Sequence, residues 1–219
     1  MNNIKILFIL FLTYSIIGWI IEMIATVIED HEIVNRGFLI GPYCPIYGVC
    51  SILMLLLLNK VNNVVLLFIL SILICSIGEY ITSYLLEKIF KARWWDYSKT
   101  KFNLNGRICL QNCLLFGVLG FLVVKYINNF FLNIYTSINP SLLDAIFYIT
   151  STIFIIDLIT SFNVIFKIKK TIKHVNLDNT KEISLKVKKV LTDNILVKRI
   201  FKAFPNIKLI DRIKNRIRK

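Results

Sequence analysis

Five long apolar stretches dominate this sequence, over residues 4–28, 42–58, 64–86, 108–127 and 142–166. A helix needs about 20 mostly apolar residues to cross a hydrocarbon core roughly 30 Å thick. Backbone polar groups have no water there, so helices and closed barrels are the spanning structures available. The second stretch is short, 17 residues, and carries Pro42 and Pro45 at its start. It could cross as a tilted span or re-enter partway. The polar turn Asn59-Lys60-Val61-Asn62-Asn63 and the further apolar stretch behind it favour a full crossing. The first stretch reads as retained: its only preceding base is Lys5, its apolar run is long, and no small-x-small cleavage site follows. The expected fold is an all-α, polytopic transmembrane helical bundle of five spans over residues 1–166, with a basic tail over 167–219.

Charge separates those two parts. The chain carries 27 Lys+Arg against 13 Asp+Glu, a formal +14. Residues 167–219 hold 17 of the bases and four of the acids, so the tail carries +13 and the apolar body +1. Lys and Arg are enriched on the cytoplasmic side of a membrane. Five spans with the tail inside place 24 basic residues on that face and only Lys5, Lys60 and Lys125 on the other. The expected orientation is therefore with the N-terminus outside and the C-terminus in the cytoplasm. Four spans with a re-entrant 42–58 would move the six bases of 87–107 to the wrong face.

The first two spans and the next two can be read as copies of one hairpin, a possible parallel repeat about the membrane normal. Ser15-Ile-Ile-Gly18 resembles Cys75-Ser-Ile-Gly78, with Glu22 and Glu79 close behind. Cys44-Pro-Ile-Tyr-Gly48 likewise resembles Cys113-Leu-Leu-Phe-Gly117. Chance similarity between two apolar hairpins is the competing reading.

Ionisable residues inside a membrane are costly and mark functional sites by default. Glu22, Glu79 and Asp157 fall in the last half of spans one, three and five. Tyr43, Tyr47 and Asn112 open the spans that start from that same side. Arg36, Asp96, Asn105 and Arg107 lie in the adjoining loops. One expectation is a cytoplasm-facing polar site. The other is helix-to-helix glue, with the carboxylates paired to Arg36 or Arg107. Trp94, Trp95 and Tyr97 interleave with bases in the loop after span three. They suit an interfacial anchor, or an ordered loop folded over the polar cluster in which Asp96 accepts hydrogen bonds or pairs with a base.

Four stretches carry a resemblance: Tyr14-Ser-Ile-Ile-Gly-Trp-Ile-Ile-Glu22, Asn35-Arg-Gly-Phe-Leu-Ile-Gly-Pro-Tyr-Cys-Pro-Ile-Tyr-Gly48, Gly78-Glu-Tyr-Ile-Thr-Ser-Tyr-Leu-Leu-Glu87, and Arg93-Trp-Trp-Asp-Tyr-Ser98 with Phe102-Asn-Leu-Asn-Gly-Arg-Ile-Cys109. In this order, over roughly 4–166, the chain resembles the bacterial membrane-protein family labelled putative ABC-transporter type IV, or CmpB-like. The resemblance implies a permease or permease-like subunit. It brings no established substrate or catalytic residue with it.

The sequence has no Gly-x-x-x-x-Gly-Lys-Ser/Thr loop to cradle ATP phosphates, so an ATPase partner would be a separate chain. Five spans are few for a pathway and point to a partner or a homo-oligomer. There are two histidines, no Cys-x-x-Cys and no Gly-x-Ser-x-Gly elbow. No metal site, cofactor or catalytic residue is expected, and an enzyme reading has little support. The tail repeats apolar residues at helical spacing over 181–204 and 207–217. Basic amphipathic helices of that kind suit anionic lipid at the cytoplasmic leaflet. Nucleic acid is the weaker partner, since it would leave the apolar stripe unused. A non-transporting scaffold or regulator, binding lipid or protein through tail and aromatic loop, is the alternative function.

Overall fold

A computed structural model describes residues 2–31, 35, 37–90, 92–174, 196, 199 and 208–209. Six α-helices follow one another: α1 (Asn2–Asp30), α2 (Pro45–Leu58), α3 (Val64–Phe90), α4 (Leu110–Leu122), α5 (Asn128–Ser137) and α6 (Pro140–His174). A π-helical turn, Val123–Ile127, joins α4 to α5, so one apolar rod runs from Leu110 to Ser137. The short strands are β1 (Ala92–Arg93), β2 (Asn103–Leu104), β3 (Ile108–Cys109) and β4 (Lys208–Leu209).

Four helical stretches among the described residues are long and apolar enough to cross a membrane: Asn3–Ile28, Val64–Phe90, Leu110–Ser137 and Pro140–Phe166. Their outer faces stay apolar and open. On α3, Ile69, Leu73, Ile77 and Ile81 are all exposed, each four residues from the next. Such a stripe lies along one helix face and is suited to lipid rather than water. The chain is a membrane protein built as an all-α bundle.

Stretch 42–58 differs from the expected full span. Its helix begins only at Pro45 and has 14 residues, roughly 21 Å at 1.5 Å per residue. The preceding segment, 37–44, is irregular because its amides are spent elsewhere. Ile40 and Gly41 donate their N–H groups to Asp157, and Cys44 donates to the Ser15 carbonyl at 2.8 Å. Pro45 can then open α2, because a first-turn residue needs no N–H. The fourth stretch also differs. The helix runs past Ile127 because the π turn carries Asn128 inward, where its side chain is 1% exposed and accepts from Tyr14.

Contacts give the helix directions. Tyr47 meets Glu22 near one end of α1, whereas Leu55 packs with Ile6, Ile9 and Leu10 near the other; α1 and α2 are antiparallel. Gly117 faces Phe68 and Ile72, and Cys113 meets Ser76, so α3 and α4 are antiparallel too. Lys5 pairs with Asp144 at 2.6 Å and Phe11 packs on Phe154, which makes α1 and α6 parallel. Glu22, Glu79 and Asp157 therefore sit toward the same end of the bundle, opposite the Lys5–Asp144 pair.

Between α3 and α4 the chain makes a compact loop. β2 and β3 pair antiparallel, Asn103 with Cys109 and Leu104 with Ile108. The bend between them needs left-handed backbone at Asn105 (φ 54) and Gly106 (φ 66), conformations that Asn and Gly tolerate best. The expected tail helices fall mostly outside the described residues. Lys208 and Leu209, expected within the second of them, instead form β4 against β1.

Candidate functional site

Each hairpin places one carboxylate beside a hydrogen-bonding partner. On the first, the Tyr47 hydroxyl donates to Glu22 Oε1 at 2.6 Å. It can do so because Gly18, one turn before Glu22, leaves room for the tyrosine ring; a Cβ there would collide with it. On the second, Glu79 is 6% exposed, and its Oε1 accepts from the Tyr97 hydroxyl at 3.2 Å. Asn112, in the first turn of α4, donates to that hydroxyl at 2.8 Å, which directs the Tyr97 proton toward the carboxylate. Glu79 Oε2 has no hydrogen-bond partner among the described residues.

Tyr97 connects the two hairpins electrostatically. Burial raises the pKa of its hydroxyl above the ordinary phenol value, and the negative charges of Glu79 and Glu22 act on it in the same direction. Neither carboxylate has an ion-pair partner among the described residues. The described residues also hold no group of three or more His, Cys, Asp and Glu placed to bind a metal ion.

The nearby bases are used by the loop itself. Arg107 pairs with Glu87 at 2.7 Å and donates to Ser83 Oγ at 3.1 Å. Its guanidinium lies 5.6 Å and 5.5 Å from the ring centroids of Tyr80 and Tyr84, within cation–π range. Arg93 donates to the same Glu87 oxygen at 3.2 Å and lies 3.5 Å from Asp96 Oδ1. Asp96 also accepts from the Ser98 amide and hydroxyl. Asn105 donates to the Tyr80 hydroxyl at 2.9 Å, and Trp95 to the Arg107 carbonyl at 3.0 Å. Trp94 is 5% exposed and packs its ring against Phe38 and Phe90. The loop is thus tied down onto α3, with Tyr97 reaching inward to Glu79.

Asp157 has a different environment. Oδ1 accepts from the Ile40 amide and Ser161 Oγ, at 3.0 and 2.8 Å. Oδ2 accepts from the Gly41 amide and the Tyr43 hydroxyl, at 2.7 and 2.6 Å. A carboxylate offers about four acceptor positions, so this one is fully engaged in fastening segment 37–44 to α6. From the tail, Arg199 donates to the carbonyls of Gly37 and Phe38 at 3.2 Å each. Leu196 packs on the cluster of Phe90, Trp94, Val164 and Ile165. Two distant helices and the tail thereby hold one irregular strip of chain from both sides of its backbone.

The residues singled out from sequence separate into three groups. Glu22, Tyr47, Glu79, Tyr97 and Asn112 come together; Asp96, Asn105, Arg107 and Trp95 form the loop's own network; Tyr43 and Asp157 form the clamp. Arg36 lies outside the described residues. Arg107 meets Glu87 rather than Glu22 or Glu79. Glu87 was not singled out because it ends an apolar run, where a carboxylate usually meets water. Asn35 was passed over too, yet it accepts from Trp19 Nε1 at 2.8 Å and from the Gly37 amide at 2.9 Å. Its place two residues before a glycine, the spacing of an Asx turn, was the available signal. Asn128, just beyond the expected stretch 108–127, is buried.

A family model described as putative ABC-transporter type IV matches residues 9–162. No curated protein and no solved structure matches the chain.

Proposed function

The chain belongs to the family described as putative ABC-transporter type IV, and we propose that it is a membrane-embedded transport component: a permease or permease-like subunit with a polar site facing the cytoplasm. The observation that carries this is the pairing across the hairpins. Glu22 and Glu79 stand at one end of the bundle, both act on Tyr97, and neither is neutralised by a base among the described residues. Packing contacts alone have no need of a 94%-buried carboxylate with an idle oxygen, which costs free energy to maintain. The asymmetry of basic residues supports a cytoplasmic C-terminus. The absence of an ATP-cradling loop from the sequence calls for ATPase subunits on separate chains, and the small number of crossings suits a homo-oligomer or heteromer.

Replacing Glu22 or Glu79 with Gln is expected to abolish a transport or growth phenotype while membrane levels of the protein stay unchanged. Loss of the protein itself in both variants would show the carboxylates to be structural. Copurification adds the partner: a stoichiometric ATPase chain is expected. A second reading, a non-transporting scaffold, draws on the four-fold engagement of Asp157 and the network around Arg107, which are structural uses of buried charge. It would be favoured by tail-dependent binding to anionic vesicles without any ATPase partner.

A further inference from the structure

We propose that Glu79 holds one exchangeable proton on Oε2, beside the carboxylate of Glu22, so that this end of the bundle is a proton-binding site. The proposal rests on the reading of these residues as the working site, but it concerns a property that can be measured without transport.

Three observations converge on it. Glu79 is nearly inaccessible, and of its two oxygens only Oε1 has a donor. The donor is itself oriented: Asn112 occupies the Tyr97 oxygen as acceptor, so the phenolic proton points to Oε1. Oε2 is left as the open position. Among the described residues, the bases of the adjoining loop are committed elsewhere, Arg107 to Glu87 and Ser83, and Arg93 to Glu87 and Asp96.

An ionised carboxylate buried without a counter-charge loses more solvation than its surroundings return, and it neutralises by binding a proton. Glu22 strengthens this, because it acts on the same Tyr97 hydroxyl as Glu79 and a like charge nearby disfavours the ionised form of the buried carboxyl. Among the described residues, the remaining titratable groups facing them do not supply a compensating charge. Cys50 and Cys75 act on or feel Glu79 from α2 and α3. Cys44, Tyr47 and Tyr97 face Glu22. Thiols and phenols are neutral or negative, never positive. The step balances simply: an O–H bond forms on Oε2 as one breaks in a hydronium ion of the bulk, leaving water, and the charge of Glu79 goes from −1 to 0.

The test uses the full-length protein in liposomes, with infrared difference spectra between acid and alkaline buffer. The expected result is a protonated-carboxyl C=O band that titrates in the wild type and is lost in E79Q. In E22Q the midpoint of that band should move, because the neighbouring charge has gone; a merely structural Glu22 would leave it in place. Dicyclohexylcarbodiimide, which attacks protonated carboxyls, should modify Glu79 in preference to Glu87, with the yield falling as pH rises. A wild-type band that persists in E79Q, or no titrating band at all, overturns the proposal. If E79Q does not fold, an unmoved midpoint in E22Q overturns it equally. A titrating band in a protein whose E22Q and E79Q variants transport normally would keep the proton site and remove the transport reading. Lost transport with no titrating band would do the reverse.

Discussion

Tyr43 donates its hydroxyl to Asp157 Oδ2 at 2.6 Å, across 114 residues of sequence, and so binds the irregular entrance of α2 to the middle of α6. The same carboxylate holds two backbone amides and a serine. This explains how a chain can run unwound beside apolar helices: the amides of Gly37, Ile40, Gly41, Tyr43 and Cys44 each meet an acceptor, as buried backbone requires.

Asp157→Ala should therefore be among the most damaging single changes. It strands two amides and two hydroxyls, at about 1–3 kcal/mol for each buried donor left unmet, with relaxation recovering part. Asp157→Asn should also fail to restore stability, since its NH2 group faces donors. Thermal unfolding in detergent checks both, and a D157N melting point equal to wild type would sink the clamp. Arg199→Ala removes the opposite hold, on the Gly37 and Phe38 carbonyls, and should cost less because those carbonyls can turn to other donors.

Arg107 and Glu87 should be energetically coupled. At 2.7 Å, with both side chains largely buried and Ser83 and two tyrosine rings around the guanidinium, the pair is unlike an exposed one worth little. A double-mutant cycle with R107A and E87Q should give a coupling of roughly 1–3 kcal/mol. Arg107→Lys should recover only part of it, since an ammonium cannot reach Glu87 and Ser83 together in the same flat geometry. Additive single changes would contradict the pair.

The two hairpins should respond differently to the same small insertion. A Cβ at Gly48 runs into Ser15 Oγ and the Phe11 carbonyl, which is backbone; at Gly117 it meets the outer edge of the Phe68 ring at 2.6 Å. A ring edge can swing away, whereas a carbonyl moves only with its helix. Gly48→Ala should lie near the upper end of the ~1–3 kcal/mol typical of overpacking, and Gly117→Ala near the lower end. Equal losses would argue against the close α1–α2 approach. These glycines also allow the two hairpins to be compared. Gly48 rests on Phe11 and Ser15, Gly117 on Phe68 and Ile72. The shift from Phe11 to Phe68, 57 residues, also takes Glu22 to Glu79. The match of Gly18 to Gly78, suggested by residue identity, is off by about one helical turn.

What the sequence determined by itself was the class of molecule and the depth of its charges. Long apolar runs can be satisfied only by helices in lipid, and a carboxylate within such a run is visible from its neighbours alone, so Glu22, Glu79 and Asp157 stood out at once. Tertiary structure decided their partners. A hydrogen bond depends on which helix face turns toward which, and that orientation comes from close approaches such as Gly18 on Tyr47 and Gly48 on Phe11. It separated three similar-looking carboxylates: Asp157 filled by four donors, Glu22 held by one tyrosine, and Glu79 left with an open oxygen. It also drew Glu87 and Asn128 out of apparent span ends, because a π turn or an adjacent arginine alters what surrounds a residue without changing the run it belongs to.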